Sequence, residues 1–492
     1  MEPTANFFAL GGHSLLAVTM LAKASRLHGV PVSPRDFLAD PTVAGLSRLL
    51  SAPTAPQAPA AVEADDWPAT AVQQRFWFLD RVPALSTAYL LPTVVELRGE
   101  VDPDALRAAV DDVLARHPGL RTRFALDRRA RQVRYRTDGP PATCAVTDAT
   151  GWSPRRLRDH VAASCWTGFD LAADAPARAE VIRDGADRTL LVLVVHHAVA
   201  DGWSRELLVE QVARTYRART RGARPELAAP VHPSAVPRTS SERQTADLVA
   251  WLRGAPVDVD LPHDRPRPEV QSTAAATVSL RLGRELTADL RAAAAGAACT
   301  TFMVTAALLA VALARLGEQR DFAFAFPWGG RDAPGSAEAV AMLVNTVVLR
   351  VDLRGVETWR DLLAGVAESA AVSYRNADAS FDELAAALHP DRDLSRPPVT
   401  PVFLSARDGG AEPPGFAAAR YLPLDPLHVK YELELTAIDH PEEVELSASY
   451  AVELFDDGTA TGLLGLLADA AADLVTNPDE HPLAQTTGTA ET

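Results

Sequence analysis

Val194-Val195-His196-His197-Ala198-Val199-Ala200-Asp201-Gly202-Trp203-Ser204 is the stretch on which the reading of this chain turns. It closes an apolar run, Thr189-Leu190-Leu191-Val192-Leu193-Val194-Val195, that predicts a fully buried strand. Two adjacent histidines then leave the strand, and an Asp-Gly pair follows. A histidine at a strand end is well placed to project into a cleft as a general base. Asp201 is placed to fix the imidazole and the loop around it. Gly202 is expected to let the backbone turn where a side chain would clash. Taken alone, a His-His pair is more often a packed strand end or a surface accident than a catalytic site, since titratable pairs are only probabilistic evidence of a site.

The 492 residues allow about three ordinary domains, and 47% hydrophobic residues allow large cores. A net charge of −16 opposes non-specific nucleic-acid binding, which needs a basic footprint. Basic runs such as Arg128-Arg129-Ala130-Arg131 read as solvated faces. No run of eighteen apolar residues is present, so no membrane span is expected, and Met1-Glu2-Pro3-Thr4-Ala5-Asn6 does not read as a secretory leader. The three cysteines, Cys144, Cys165 and Cys299, form no CxxC spacing and suggest neither a disulfide framework nor a metal site. The expected location is a reducing cytoplasm.

Residues 51–66 are rich in Pro and Ala and read as a semi-extended tether. Before it lies Asn6-Phe7-Phe8-Ala9-Leu10-Gly11-Gly12-His13-Ser14-Leu15-Leu16-Ala17. An isolated Gly-Gly-His-Ser would make Ser14 a helix N-cap. The wider string resembles the attachment motif of peptidyl carrier domains, FFxLGGHSLLA. The resemblance implies that Ser14 carries 4'-phosphopantetheine, and that Val32, Phe37, Pro41-Thr42-Val43 and Leu46 to Leu50 form the last two carrier helices. Only Met1 to Ala5 precede the motif, so the first carrier helix is expected to be missing. A bundle without it loses a packing face, and the alternative place for 4'-phosphopantetheine is a partner carrier protein.

From Trp67 onward helix and strand signals alternate. Thr70 precedes apolar residues at helical spacing through Leu79, and Asp102-Pro103 opens a second helix. Strands are expected at 120–126, 178–183, 277–282, 321–326, 344–351 and 444–450. Helices are expected at 205–217, 287–298, 301–316 and 459–475. Order and length predict two αβ halves of similar size meeting at a cleft: 67–240 and 241–485, with 486–492 as a tail.

The full pattern HHxxxDGWS resembles the core motif of the condensation domains of nonribosomal peptide synthetases, within the superfamily of CoA-dependent acyltransferases. Thr70-Ala71-Val72-Gln73-Gln74-Arg75-Phe76-Trp77 is similar to the family's S-x-A-Q-x-R-L-W helix. Arg116-His117-Pro118-Gly119-Leu120-Arg121-Thr122-Arg123-Phe124 is similar to R-H-x-x-L-R-T-x-F, and Leu261-Pro262-His263-Asp264-Arg265-Pro266-Arg267-Pro268 to L-P-T-D-R-P-R-P. Leu343-Val344-Asn345-Thr346-Val347-Val348-Leu349-Arg350 is similar to F-V-N-T-L-V-L-R. Four features depart from the pattern. A Y-x-D-Y-A-x-W stretch is absent, and the distance from Ser204 to Leu261 is short. T-P-x-A-G-R becomes Phe326-Pro327-Trp328-Gly329-Gly330-Arg331, and H-Q-x-x-P-F-E is reduced to Asn376-Ala377-Asp378-Ala379-Ser380-Phe381-Asp382-Glu383.

The resemblance implies an α/β (α+β) two-lobed, chloramphenicol-acetyltransferase-like fold with a central cleft, behind a small truncated α-helical carrier segment. It implies an acyltransferase that joins a carrier-bound acyl or peptidyl thioester to an amine. His197 would be the catalytic histidine and His196 a packing or hydrogen-bonding support. Asp201 would be structural, pairing with an arginine such as Arg331. Gly202 would keep the mouth of the site open, backbone N–H groups near Gly202 and Trp203 would face the oxyanion, and Trp203 and Ser204 would support substrate or structure. Asn345 would contact substrate or the lobe interface. Expected partners are a carrier-bound donor, an acceptor that is soluble or held on another carrier, and other synthetase subunits, with no nucleic acid and no membrane. The alternatives are condensation with an alcohol or free amine that releases the chain as an ester or amide, and a non-catalytic domain that docks another enzyme. Epimerase relatives continue His-His-Asp-Gly with V-S-W, which differs from Trp203-Ser204.

Overall fold

A computed structural model describes residues 66–484, apart from 83–84, 237–240, 257, 332, 334, 389–394, 411, 417 and 425, together with 40–51 and scattered positions within 2–37. Near the N-terminus, helix α1 (Val43–Ser51) presents Leu46, Leu49 and Leu50 to a small cluster of buried Leu21, Val32 and Phe37. Phe7 meets the Phe37 ring edge-on at 5.7 Å. Val32, Phe37 and Leu46 to Leu50 are positions expected of the carrier helices. Ser14 and its Gly-Gly-His neighbours lie outside the described residues.

The first lobe runs β1 (Trp67–Pro68), α2 (Ala71–Asp80), β2 (Leu90–Arg98), α3 (Pro103–Arg116), β3 (Arg123–Asp127), β4 (Gln132–Arg136), β5 (Cys144–Asp148), α4 (Pro154–Cys165), β6 (Ala177–Arg183), β7 (Arg188–His196) and α5 (Gly202–Thr220). Thr70 caps α2 in a capping box: its hydroxyl accepts from the Gln73 N–H, and the Gln73 side chain accepts from the Thr70 N–H at 3.1 Å. Asp102 accepts from the amides of Asp104 and Ala105, and Pro103 sits in the first turn of α3. Strand β7 is antiparallel to both neighbours, with Leu90 opposite His196 and Ala177 opposite Val195. Leu191, Leu193 and Val195 enter a core shared with α3, while Leu190, Val192 and Val194 enter another shared with α4. Both faces are covered, which is why the strand reads as an unbroken apolar run.

The second lobe runs α6 (Glu242–Leu252), β8 (Ala275–Arg281), α7 (Arg284–Gly296), α8 (Thr301–Leu316), β9 (Asp321–Trp328), β10 (Asn345–Asp352), α9 (Trp359–Arg375), α10 (Phe381–Leu388), β11 (Val402–Asp408), β12 (Ala419–Tyr421), β13 (Leu433–Asp439), β14 (Val444–Ala451) and α11 (Asp457–Thr476). All of its strands but β12 form a six-stranded sheet in the order β10-β9-β11-β13-β14-β8. One sheet face packs Val402, Leu404, Leu433, Leu435 and Leu446 onto α8, which is buried from Phe302 to Ala314. The other carries hydroxyl pairs, Ser405 with Thr436 and Thr277 with Ser449, each at 2.9 Å. By length and composition α11 passes as a membrane span, and α7 with α8 does so only across a 104° bend. Leu463, Leu464, Leu467 and Leu474 of α11 are buried in the core of this lobe.

The halves interlock. Strand β12, from the second half of the chain, pairs antiparallel with β2 and becomes the edge of the first-lobe sheet, β12-β2-β7-β6-β5. Val340 and Met342, from the loop after β9, sit in the first-lobe core. Most expected elements lie within a few residues of their predicted bounds. The exception is 120–126, where Pro118–Arg121 form a 3-10 turn before β3.

Candidate functional site

Strand β7 ends at His196, and the chain turns at once through 197–201 into α5. The turn is held from several sides. The His197 N–H donates to the Tyr89 carbonyl at 2.8 Å, the Val199 N–H to the His196 carbonyl, and the Gln73 side chain to the Ala198 carbonyl at 3.0 Å. His196 is buried, whereas His197 keeps part of its surface open.

The two imidazoles are set differently. His197 Nδ1 lies 2.8 Å from the Ala200 carbonyl, an acceptor only, so Nδ1 carries the proton and Nε2 is left as the basic atom. Burial holds the His197 pKa below the ordinary histidine range, and the positive charge of Lys430 adds to this. His196 Nδ1 accepts from the Ala198 N–H at 3.0 Å, which puts its proton on Nε2, 3.6 Å from Asp80 Oδ1. Burial pushes Asp80 up to about 6 and His196 down to about 3, so the pair is not a strong ion pair. His196 is a neutral buried support for the turn.

Asp201 caps α5 and is fully engaged. Oδ1 accepts from the Ser204 N–H at 2.8 Å and from Arg331 Nη2 at 2.5 Å, and Oδ2 accepts from the Leu343 N–H at 3.1 Å. The two side chains are 3% and 5% exposed, so this is a buried pair. Burial by itself raises the Asp201 pKa, but the Arg331 guanidinium and Ser204 outweigh it and hold the carboxyl below its usual range. Arg331 also donates to the Ala339 carbonyl at 2.6 Å, and Ser204 Oγ lies 2.9 Å from the Ala341 carbonyl. Trp203 Nε1 donates to the Ala337 carbonyl at 2.9 Å. Asp201, Trp203 and Ser204 therefore bind the motif to the loop after β9, and the expected partnership of Asp201 with Arg331 is present.

Gly202 corrects one expectation. A Cβ there would meet nothing within 4 Å, so the turn does not exclude a side chain by collision. The position opens onto free space instead. The amides of Gly202 and Trp203 open α5 and have no intrahelical acceptor. The glycine the backbone does need is Gly330, at φ +61°, where a Cβ would lie 2.2 Å from the Leu343 carbonyl oxygen. That close approach brings Arg331 onto Asp201. Gly330→Ala is expected to cost about 2 kcal/mol or more, from a left-handed alanine and the collision, read as a lowered denaturant midpoint.

Asn345 stands apart from this cluster. Its amide donates to the carbonyls of Ala377 and Ala379, both at 2.8 Å, and fixes the turn between α9 and α10. The reduced segment at 376–383 supplies a contact of its own: Asp382 pairs with Arg75 of α2 at 2.6 Å, joining the two lobes. The groups that sequence reasoning missed are Asp80, Tyr89 and Lys430. Lys430 reaches the site from just before β13 and places its ammonium 5.5 Å from the Tyr89 ring centroid.

This two-lobed architecture is that of condensation-type acyltransferases. The X-domain from teicoplanin biosynthesis superposes with a TM-score of 0.75 at 26% identity, covering 86% of this chain and 98% of that one. The first condensation domain of the CDA synthetase has a TM-score of 0.70 at 20% identity, covering 85% of this chain and 98% of that one. In sequence, residues 63–491 match the Condensation domain family and residues 1–50 match the phosphopantetheine attachment site family. The chain belongs to the condensation domain family, with a phosphopantetheine attachment site match in front. Among its relatives, an isonitrile lipopeptide synthase of Mycobacterium tuberculosis is 31% identical over 92% of this chain, which covers 19% of that protein. A dimodular nonribosomal peptide synthase of Bacillus subtilis is 30% identical over 94% of this chain, covering 20% of that protein. The chain thus spans about a fifth of the length of these two relatives.

Proposed function

We propose that this chain forms an amide between a carrier-bound acyl or peptidyl thioester and an amine, with His197 as the residue that meets the amine. The observation that carries the reading is the tautomer of His197: Nδ1 is held by the Ala200 carbonyl at 2.8 Å, and Nε2 is the basic atom of a partly open ring. Nε2 accepts a hydrogen bond from the amine N–H and aims the nitrogen lone pair at the thioester carbonyl. The C–N bond forms as the carbonyl π pair moves onto oxygen, where the amides opening α5 at Gly202 and Trp203 are suited to receive it. The oxygen pair returns, the C–S bond breaks, and the proton lost by nitrogen passes by way of Nε2 to the departing sulfur. A histidine whose pKa is depressed is a weak base, so positioning is its larger contribution. His196, Asp201, Ser204 and Arg331 hold the turn that carries it.

Ser14 is the residue proposed to carry 4'-phosphopantetheine, whose terminal thiol would hold the acyl group. Residues 1–50 are read as carrier-domain sequence, 51–66 as a linker, 67–240 and 241–485 as the two lobes, and 486–492 as a tail. Partners would be a donor carrier, an acceptor amine that is soluble or on a second carrier, and further synthetase subunits. The proposed location is the cytoplasm, supported by the three buried free cysteines. An alcohol acceptor giving an ester would use the same Nε2.

One comparison favours a second reading. The X-domain of teicoplanin biosynthesis, also solved in complex with OxyB, is 27% identical to this chain in that complex. By likeness, this domain would recruit another enzyme and need no base. The test is to incubate the chain with an aminoacyl-phosphopantetheine thioester and a panel of amines and alcohols, reading products by mass spectrometry. A product that disappears in His197→Ala supports condensation and identifies the acceptor class. If neither protein forms product, even with an intact donor carrier, the recruiting reading takes its place.

A further inference from the structure

One cation reaches the site from the opposite lobe. Lys430 lies just before β13 in the second lobe, whereas His197 follows β7 in the first. Tyr89 links the two. Its ring lies under the Lys430 ammonium at 5.5 Å, its carbonyl accepts the His197 N–H at 2.8 Å, and Phe76 stacks between its ring and that of His197, at 4.5 and 5.4 Å. Among the described residues the Lys430 ammonium has no hydrogen bond and no ion pair. Arg75 and Arg331, the cations nearby, are each matched by a carboxylate.

We propose that Lys430 is a positioning residue for the reaction, whose ammonium over the Tyr89 ring keeps both His197 and the incoming amine uncharged. The inference rests on the condensation reading. An amine of ordinary basicity is mostly an ammonium ion at neutral pH, with no lone pair to attack a carbonyl. An imidazolium at His197 could not accept its N–H. A nearby positive charge disfavours both charged forms, whereas a carboxylate there would favour them.

The other charged groups facing His197 do not reverse this. Asp201, four residues on, is bound to Arg331 at 2.5 Å. His196 is buried and neutral, and its neighbour Asp80 lies beyond it. Arg75 of α2 is paired with Asp382 of α10. Glu434 of β13 accepts the Lys430 backbone N–H at 2.6 Å. Lys430 is thus the cation left to act on His197, and its charge contributes to that ring's depressed pKa.

The experiment is an NMR titration of the full chain carrying 13Cε1-labelled histidine, with the His197 resonance assigned by its loss in His197→Gln. In the wild type His197 is expected to show no titration between about pH 5 and 8. In Lys430→Met its midpoint should rise by about one unit, and Lys430→Arg should behave as the wild type. With saturating amine, the acid limb of kcat should move to higher pH by a similar amount in Lys430→Met only. An unmoved His197 midpoint in a Lys430→Met protein of unchanged Tm overturns the inference, as does a kcat limb that stays in place. The titration is read without turnover, so an inactive wild type would count against the condensation reading and leave this test intact.

Discussion

Turnover in His197→Ala is expected to fall by about 10²–10⁴-fold, with thermal stability nearly unchanged. Among the described residues the side chain makes one hydrogen bond, to the Ala200 carbonyl. Losing it costs on the order of 1 kcal/mol, while the turn keeps its other anchors at Tyr89 and Gln73. A large loss of rate without a loss of fold is the signature of a group that meets the substrate. His196→Ala should behave in the opposite way. That ring is buried and accepts the Ala198 N–H at 3.0 Å, so its removal leaves a cavity and an unpaired amide and lowers Tm first. The pH profile carries a further sign. The His197 pKa is depressed, so Nε2 stays unprotonated through the ordinary histidine range. The acid limb of kcat should therefore lie below that range, and single-turnover rates across pH would locate it.

The fold was legible where local chemistry and tertiary structure agree. Thr70 with Gln73, Asp102 with Pro103, and the doubly covered strand before His196 carry their structural reasons in a few neighbouring residues. The Asp201–Arg331 pairing was also legible, because both residues stand in recognisable motifs although 130 positions apart. Strand β12 was not. Its three residues have little strand signal, and their place in the first sheet is set by antiparallel pairing with Leu97, Glu96 and Val95. Lys430 was illegible for a similar reason. A lone lysine before a strand looks like surface until the tertiary fold places it over Tyr89. Gly202 was misread because glycine in a turn invites a steric explanation, whereas the steric demand falls on Gly330. What sequence lacks in these cases is the partner that the fold brings up: β2 for β12, Tyr89 for Lys430 and Leu343 for Gly330.

Arg331→Met should be the most destabilising single change at the site, by about 3–5 kcal/mol at neutral pH. The guanidinium is 5% exposed and compensates a carboxylate that is 3% exposed. Without it, Asp201 keeps the Ser204 and Leu343 amides but loses its counter-charge, and the Ala339 carbonyl loses a donor. The pH dependence separates a lost charge pair from a packing defect. In the wild type the folded-state pKa of Asp201 lies below its unfolded value. The stability this contributes is present above the unfolded pKa and is lost as pH falls through the folded one. In Arg331→Met, burial without the cation raises the folded pKa above the unfolded value. The penalty is then full at neutral pH and shrinks as Asp201 takes up a proton. The stability gap between the two proteins, from denaturant unfolding at a series of pH values, should narrow steadily toward acid. A gap independent of pH would mean that Arg331 acts through its hydrogen bonds to the carbonyls and not through its charge. Asp201→Asn combined with Arg331→Met should recover part of the loss, since it removes the uncompensated charge. Such recovery would show that the motif's aspartate is kept in the core by one arginine from the loop after β9.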